Sequence, residues 1–276
     1  MKRLFIAIPL TLLLICLTAD AQWRSKTHDV YNALQRTLDI KIDGELDDDE
    51  GWEGVFETVT GTDGKPFCGV EYDGNVFQEH GGGSWKGADD HETCFAIVWD
   101  PETIYLALSV TDDEHEHVAG QAWNGDGAQI AVEPSGDRKA GQTLFLYNAG
   151  LNDNATAVIL GNERTNGQPG LEVDKDIAIV RNEAENETYY EFRFTPDHLG
   201  LSGSFKKGDK FGLGICVNDG DKAAGQGGQK GWSGWYTHSV VFGKNSEHTG
   251  LVVLTDEVLA VEPVGKLTTT WGNLKR

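Results

Sequence analysis

From Thr93 to Thr255 the chain is a succession of short β-rich runs separated by turn signals, and this constrains the fold more than any other feature. TCFAIVWD and TIYLALSVTD meet at Asp100-Pro101-Glu102, a hairpin pattern. GAQIAVEP, TLFLYNAG, ATAVILG, KDIAIVRN and TYYEFRFT follow, and FGLGICVND, HSVVFG and GLVVLT complete the series. Asn152-Asp153-Asn154 and Asn166-Gly167 are among the turns that part them. No regular run of amphipathic helices and no internal repeat accompanies these strands. The expectation is an all-β fold: an antiparallel β-sandwich of the jelly-roll or immunoglobulin-like kind, with long loops.

The segments around this core are less regular. Met1-Lys2-Arg3, the apolar run Leu4–Leu17 and Ala19-Asp20-Ala21 read as a secretory signal peptide, residues 1–21, cut after Ala21. The run is too short to favour a membrane span. The address expected is therefore secreted, periplasmic or cell-surface. Residues 22–37 read as a polar lead-in with a weak helical pattern, and Asp39–Asp43 (DIKID) alternates and reads as the first strand. One domain is expected over residues 38–255, with a tail over 256–276. Residues 60–92, rich in Gly, Asp and His, read as a long loop region. With 23 Lys and Arg against 44 Asp and Glu, the formal net charge is −21. Such a surface repels phosphate backbones and anionic lipid, which disfavours nucleic acid and membrane surfaces as partners. A neutral polysaccharide or oligosaccharide is compatible, and so are multivalent cations.

The candidate chemistry gathers late in the chain. FGLGICV runs into Asn218-Asp219-Gly220-Asp221, and a Gly/Gln-rich loop then ends in Trp232 and Trp235. Trp123 stands just before Asn124-Gly125-Asp126-Gly127, which leads into the strand holding Gln129. Loops from distant parts of a sandwich cluster at its ends, so Trp123 and one of the later tryptophans would flank a slot. Two indoles suit the C–H faces of a sugar ring, and nearby polar groups suit its hydroxyls. Only Ser233 and Gly234 separate Trp232 from Trp235, so burial of both is not expected. In Asp112-Asp113-Glu114-His115-Glu116-His117 the oxygen-rich start suits calcium and His115-x-His117 suits zinc or copper, while a solvated acidic edge would give the same string. Asp43–Glu50 reads in the same two ways, as a calcium loop or a solvated turn, without EF-hand spacing. Nothing in the spacing singles out a pair of glycosidase acids, and no GxSxG nucleophile occurs, so no catalytic residue is assigned. Beyond the leader, Cys68, Cys94 and Cys216 allow three pairings. Cys68 and Cys94 are the natural pair, with Cys216 a small residue in an apolar strand.

Several of these segments, in this order, resemble the family 9 carbohydrate-binding modules of secreted xylanases and related proteins. The likeness starts at Ile42-Asp43-Gly44-Glu45-Leu46-Asp47, with Trp52 as an early tryptophan, and passes through Val110-Thr111-Asp112. It continues in Trp123 to Gln129, in Tyr190-Glu191-Phe192-Arg193-Phe194 on to Gly200, and in Phe211 to Asp221. It closes in Phe242-Gly243 and Leu251 to Leu254. The resemblance implies a β-sandwich that holds a sugar between two tryptophans, with structural calcium and a preference for glucose- or xylose-based chain ends. By position, Trp123 is one ring and Trp235 or Trp232 the other, with Trp235 preferred. Asp126, Gln129, Asn218, Asp219 and Asp221 fall nearby, and Asp43, Asp112 and Asp113 are the calcium candidates. The family's Glu after the first tryptophan is Gln129 here, a neutral and weaker acceptor. The expected function is sugar binding without cleavage, linked to carbohydrate catabolism, tethering a partner enzyme or a cell surface to polysaccharide. The alternative is a polysaccharide-acting hydrolase or lyase with acidic residues in its loops.

Overall fold

The structure, a computed structural model, describes residues 24–46, 50–70, 75–117, 121–163, 167–221 and 229–259. The leader, residues 222–228 of the Gly/Gln-rich loop, Asn166 and residues 260–276 of the tail lie outside these. The described strands are β1 (Val30–Gln35), β2 (Phe77–Glu79), β3 (His91–Trp99), β4 (Ile104–Asp112), β5 (Gly127–Glu133) and β6 (Phe145–Leu151). They continue as β7 (Val158–Glu163), β8 (Ile177–Asn182), β9 (Glu187–Phe194), β10 (Lys210–Asp219), β11 (Gly231–Trp235) and β12 (Gly250–Val258). One short helix, α1, spans Trp52–Thr58.

The strands are hydrogen-bonded in the order β7-β6-β5-β10-β12-β1-β3-β4-β9-β8, with β11 beside the far end of β10 and β2 beside β11. This continuous sheet folds over on itself as a β-sandwich. Period-two alternation explains why. Ala128, Ile130 and Val132 of β5 and Leu213, Ile215 and Val217 of β10 enter the core, where they join Phe95, Ile97, Leu106 and Phe192 from the other layer. Aromatic rings span the layers, with Phe95 against Trp235 at 5.3 Å and Tyr147 against Phe194 at 5.5 Å. The outer face of β5, β6 and β10 carries a second cluster of Ala131, Leu144, Leu146, Cys216, Trp232 and Val240. The segment after β11 folds over that face.

Most predicted strands are present, and the departures have local causes. Asp39–Asp43 is not a strand. Its N–H groups go to carboxylates, Lys41 to Glu50 Oε2 and Asp43 to Glu191 Oε2, instead of to a neighbouring strand. The first strand is β1, inside the stretch read as a lead-in. It lies parallel to both β12 and β3, so the sheet is not wholly antiparallel. HSVVFG forms a 3-10 turn, Thr237–Ser239, and its continuation, with Phe242 at φ 55°. GWSGW, read as the end of a loop, is β11. The 60–92 region contains β2 and is anchored by a Cys68–Cys94 disulfide, and Cys216 is a free, buried thiol.

Candidate functional site

The outer face of the first layer carries a row of amides. Gln129 of β5 lies opposite Asn148 of β6 and Cys216 of β10 in register, and Asn218 follows Cys216 on the same face. Gln129 Nε2 donates to Asn218 Oδ1 at 3.1 Å. Asn218 Nδ2 in turn donates to the Trp123 carbonyl at 3.1 Å, which Gln229 Nε2 also reaches. Asn148 Nδ2 is 3.5 Å from Glu163 Oε2, and Glu163 is paired with Lys244 Nζ at 2.9 Å. Asn148 Oδ1 is buried without a hydrogen-bond partner. Two aromatic rings that stand out from the surface are tied to this face. Trp123 is 44% exposed and Phe242 is 64% exposed, and the Phe242 ring packs edge-on against Trp232 at 5.7 Å. Phe242 and Lys244 both hold left-handed backbone, at φ 55° and 61°. Non-glycine residues adopt this conformation uncommonly, and such strain concentrates at functional sites.

The expected sugar-site residues separate into three groups. Trp123, Gln129 and Asn218 come together as expected. Trp235 does not join them: it is fully buried, and its Nε1 donates to the His28 carbonyl. Trp232 is on the correct face but only 4% exposed, covered by His80 and Phe242, so it forms a wall and not an open stacking ring. Residues three apart on a strand point to opposite faces, and for that reason both tryptophans of β11 can be buried. Asp126 and Asp219 are buried in an acidic cluster away from the amide row. Asp221 is half-buried, and the nearby charges of Asp113, Lys86 and Asp90 act on it. Phe242, Asn148, Glu163 and Lys244 were not anticipated. The one available signal was a polar Asn148 in an otherwise apolar run, LFLYNAG.

The acidic cluster lies at the end of β4 and β10. Ligand atoms of His91, Asp112 and Asp219 lie within 4.8 Å of one another, and so do those of Asp112, His115 and Asp126. Burial, and then repulsion by Asp126, raises the Asp112 carboxyl well above its ordinary range. Burial does the same to Asp126. Burial, and then Asp112, pushes Asp219 up to about 8. Arg181 approaches Asp112 Oδ2 at 3.9 Å and donates to its backbone carbonyl. Asp126 also accepts the N–H groups of Glu116 and Gly220, which pins the loop bearing Trp123 to the end of β10. Of the three calcium candidates, only Asp112 belongs to this cluster. Asp43 is exposed at a turn where its Oδ1 accepts the Glu45 N–H, and Asp113 is exposed just past the end of β4. Calcium takes six to eight oxygen ligands. The carboxylates suit it, but two of the five side chains are imidazoles, so the donor set as a whole does not fit calcium. His117 is not a ligand, because its two ring nitrogens face the Asp126 and Gln121 carbonyls.

The sheet folded into a sandwich thus sets an exposed tryptophan beside a row of amides. Residues 75–257 match the model of the family described as carbohydrate family 9 binding domain-like, and the chain belongs to that family. Two solved structures are similar, both of a family 9 carbohydrate binding module from Caldicellulosiruptor kristjanssonii. The one in complex with cellotriose is 16% identical, with a TM-score of 0.54 over 85% of this chain and 98% of that one. The one in complex with glucose is 16% identical, with a TM-score of 0.51 over 84% of this chain and all of that one. At this identity the likeness shows the fold alone. No curated protein matches the chain.

Proposed function

We propose that this chain is an exported binding module for a neutral glucose- or xylose-based saccharide. The sugar stacks on Trp123, meets Phe242 at the far rim, and is hydrogen-bonded by Gln129, Asn148, Asn218 and Glu163. One observation carries the reading: a broadly exposed indole stands beside a buried amide row in which Asn148 Oδ1 has no partner. A buried acceptor without a donor costs about 1–3 kcal/mol, and a sugar hydroxyl is a donor of the right kind. The glucose and cellotriose complexes of the two similar modules support a glucan-type ligand. Export rests on the leader read in residues 1–21. An acidic surface, net −21, suits an uncharged polymer.

The test is a tryptophan-fluorescence titration of residues 22–276 with glucose, xylose, cellobiose and xylobiose. Saturable quenching is expected, and Trp123→Ala should weaken it by about five- to tenfold, the worth of a stacked ring of about 1–1.5 kcal/mol. Polysaccharide incubated with the protein should show no new reducing ends. A folded protein that answers to none of these sugars overturns the proposal.

A further inference from the structure

The imidazoles of the acidic cluster point away from calcium. We propose that His91, Asp112 and Asp219, flanked by His115 and Asp126, bind a divalent transition cation of the zinc class. His91 is 1% exposed, and both of its ring nitrogens are sealed from solvent without a partner of good hydrogen-bond geometry, the Val217 backbone lying nearby. An interior imidazole without partners is costly unless something absent from the protein itself occupies it. A ring nitrogen of His91 belongs to the group whose ligand atoms gather within 4.8 Å around Asp112 and Asp219.

His115 provides an independent sign. Its Nε2 is 3.0 Å from the Asn152 carbonyl, an acceptor only, so Nε2 carries the proton. Its Nδ1 is turned into the cluster and faces Asp126 Oδ2 at 3.3 Å in a buried setting, as two ligands of one ion would. A histidine that ligates a metal ordinarily gives its other N–H to a backbone carbonyl or carboxylate, as His115 does. The cluster also sets three buried carboxylates against the guanidinium of Arg181. A divalent cation would balance them, and mixed imidazole and carboxylate donors select zinc-class ions over calcium or magnesium. The position gives the ion a structural task. Asp219 adjoins Asn218 on β10 with its side chain on the opposite face, and Asp126 closes the loop of Trp123. The ion would lock the loop and strand on which the amide row depends, and its binding does not require the sugar reading to hold.

The test uses residues 22–276, purified without a histidine tag, stripped with chelator and reloaded with zinc, cobalt(II) or calcium. The readouts are metal content by mass spectrometry, visible absorption of the cobalt form, and Tm. At least one retained equivalent of zinc is expected, with visible cobalt bands and a Tm raised by zinc at micromolar concentration but not by calcium. His91→Ala should weaken zinc binding by about tenfold or more. Asp219→Asn, nearly isosteric, should do the same and serves if the histidine variant does not fold. Trp123→Ala should leave zinc binding unchanged, which separates this proposal from the sugar reading. Retention of calcium in place of zinc, with no effect of His91→Ala, overturns the proposal. So does a stripped protein whose Tm responds to no cation.

Discussion

Trp235 packs between Phe67 and Phe95, at 5.7 and 5.3 Å, and gives its indole N–H to the His28 carbonyl. Trp123 gives only its backbone carbonyl to the structure and leaves its ring in solvent. The two tryptophans should therefore behave oppositely when truncated. Trp235→Ala is expected to cost about 3–5 kcal/mol of stability by urea denaturation, as large core truncations do. Trp123→Ala should change stability by no more than about 0.5 kcal/mol while weakening the sugar response. Gln129 allows a sharper test. Its Nε2 donates to Asn218 Oδ1, and Asn218 Nδ2 is already committed to Trp123. Gln129→Glu would place two acceptors face to face. A loss of about 1–3 kcal/mol in stability or in the matching sugar affinity is expected, read by denaturation and titration. The sequence allowed Trp123, Gln129 and Asn218 to be placed near one another because each precedes or occupies a recognisable strand. It could not show that Trp232 and Trp235 divide between two faces, because β11 is poor in β-branched residues and reads as loop.

At the scale of elements, the alternating runs were legible and the pieces held by side chains were not. β3 to β10 and β12 were all visible as strands, since each is a short β-rich run bounded by turn signals. Asp39–Asp43 alternates equally well, yet its N–H groups are taken by Glu50 and Glu191, and only the folded chain brings those acids near. Glu191 accepts from the Asp43 and Gly44 N–H groups and from Trp52 Nε1, which joins β9, the turn and α1. Gly44 holds φ 83°, and a Cβ there would meet Val180 at 2.6 Å, which accounts for a glycine at this turn. Burial raises the Glu191 pKa from 4.5 to about 7 against the three donors that favour its charge. The folded protein thus binds the proton more tightly than the unfolded chain. The contribution is fully present below about pH 4.5 and is lost as pH rises through about 7. Glu191→Gln should lower stability at every pH and flatten the part of the decline between those limits that distinguishes it from the parent protein, measured by Tm across the range. The Cys68–Cys94 bond closes a separation of 26 residues, so Cys68→Ala with Cys94→Ala should cost about 3 kcal/mol, read by denaturation under non-reducing conditions.

At the scale of the whole molecule, the order of the strands matters more than the number of them. The family match begins at residue 75, but the sheet that carries the amide row is joined to the second layer through β1 and β12. β1 lies between β12 and β3, with Tyr31 and Ala33 fully buried, and the Tyr31 hydroxyl oxygen accepts the Ile97 N–H. His28 and Asp29 add contacts from the same segment. The His28 carbonyl accepts from Trp235, and Asp29 pairs with Arg138 at 2.8 Å and accepts the Tyr236 hydroxyl. Residues 24–37 are thus a central strand with its anchors, although their sequence is polar enough to pass for a lead-in. A fragment limited to residues 75–257 would expose both edges of the gap, leave Trp235 without its acceptor and lose α1 from the side of β3. It should be insoluble or unfolded by circular dichroism. A fragment beginning at Gln22 should fold cooperatively and bind sugar. Deletion of residues 22–37 alone should resemble the first fragment and not the second. If the short fragment instead folds and titrates normally, β1 is an ornament of the sheet, and the two layers hold together through β12 and the core alone.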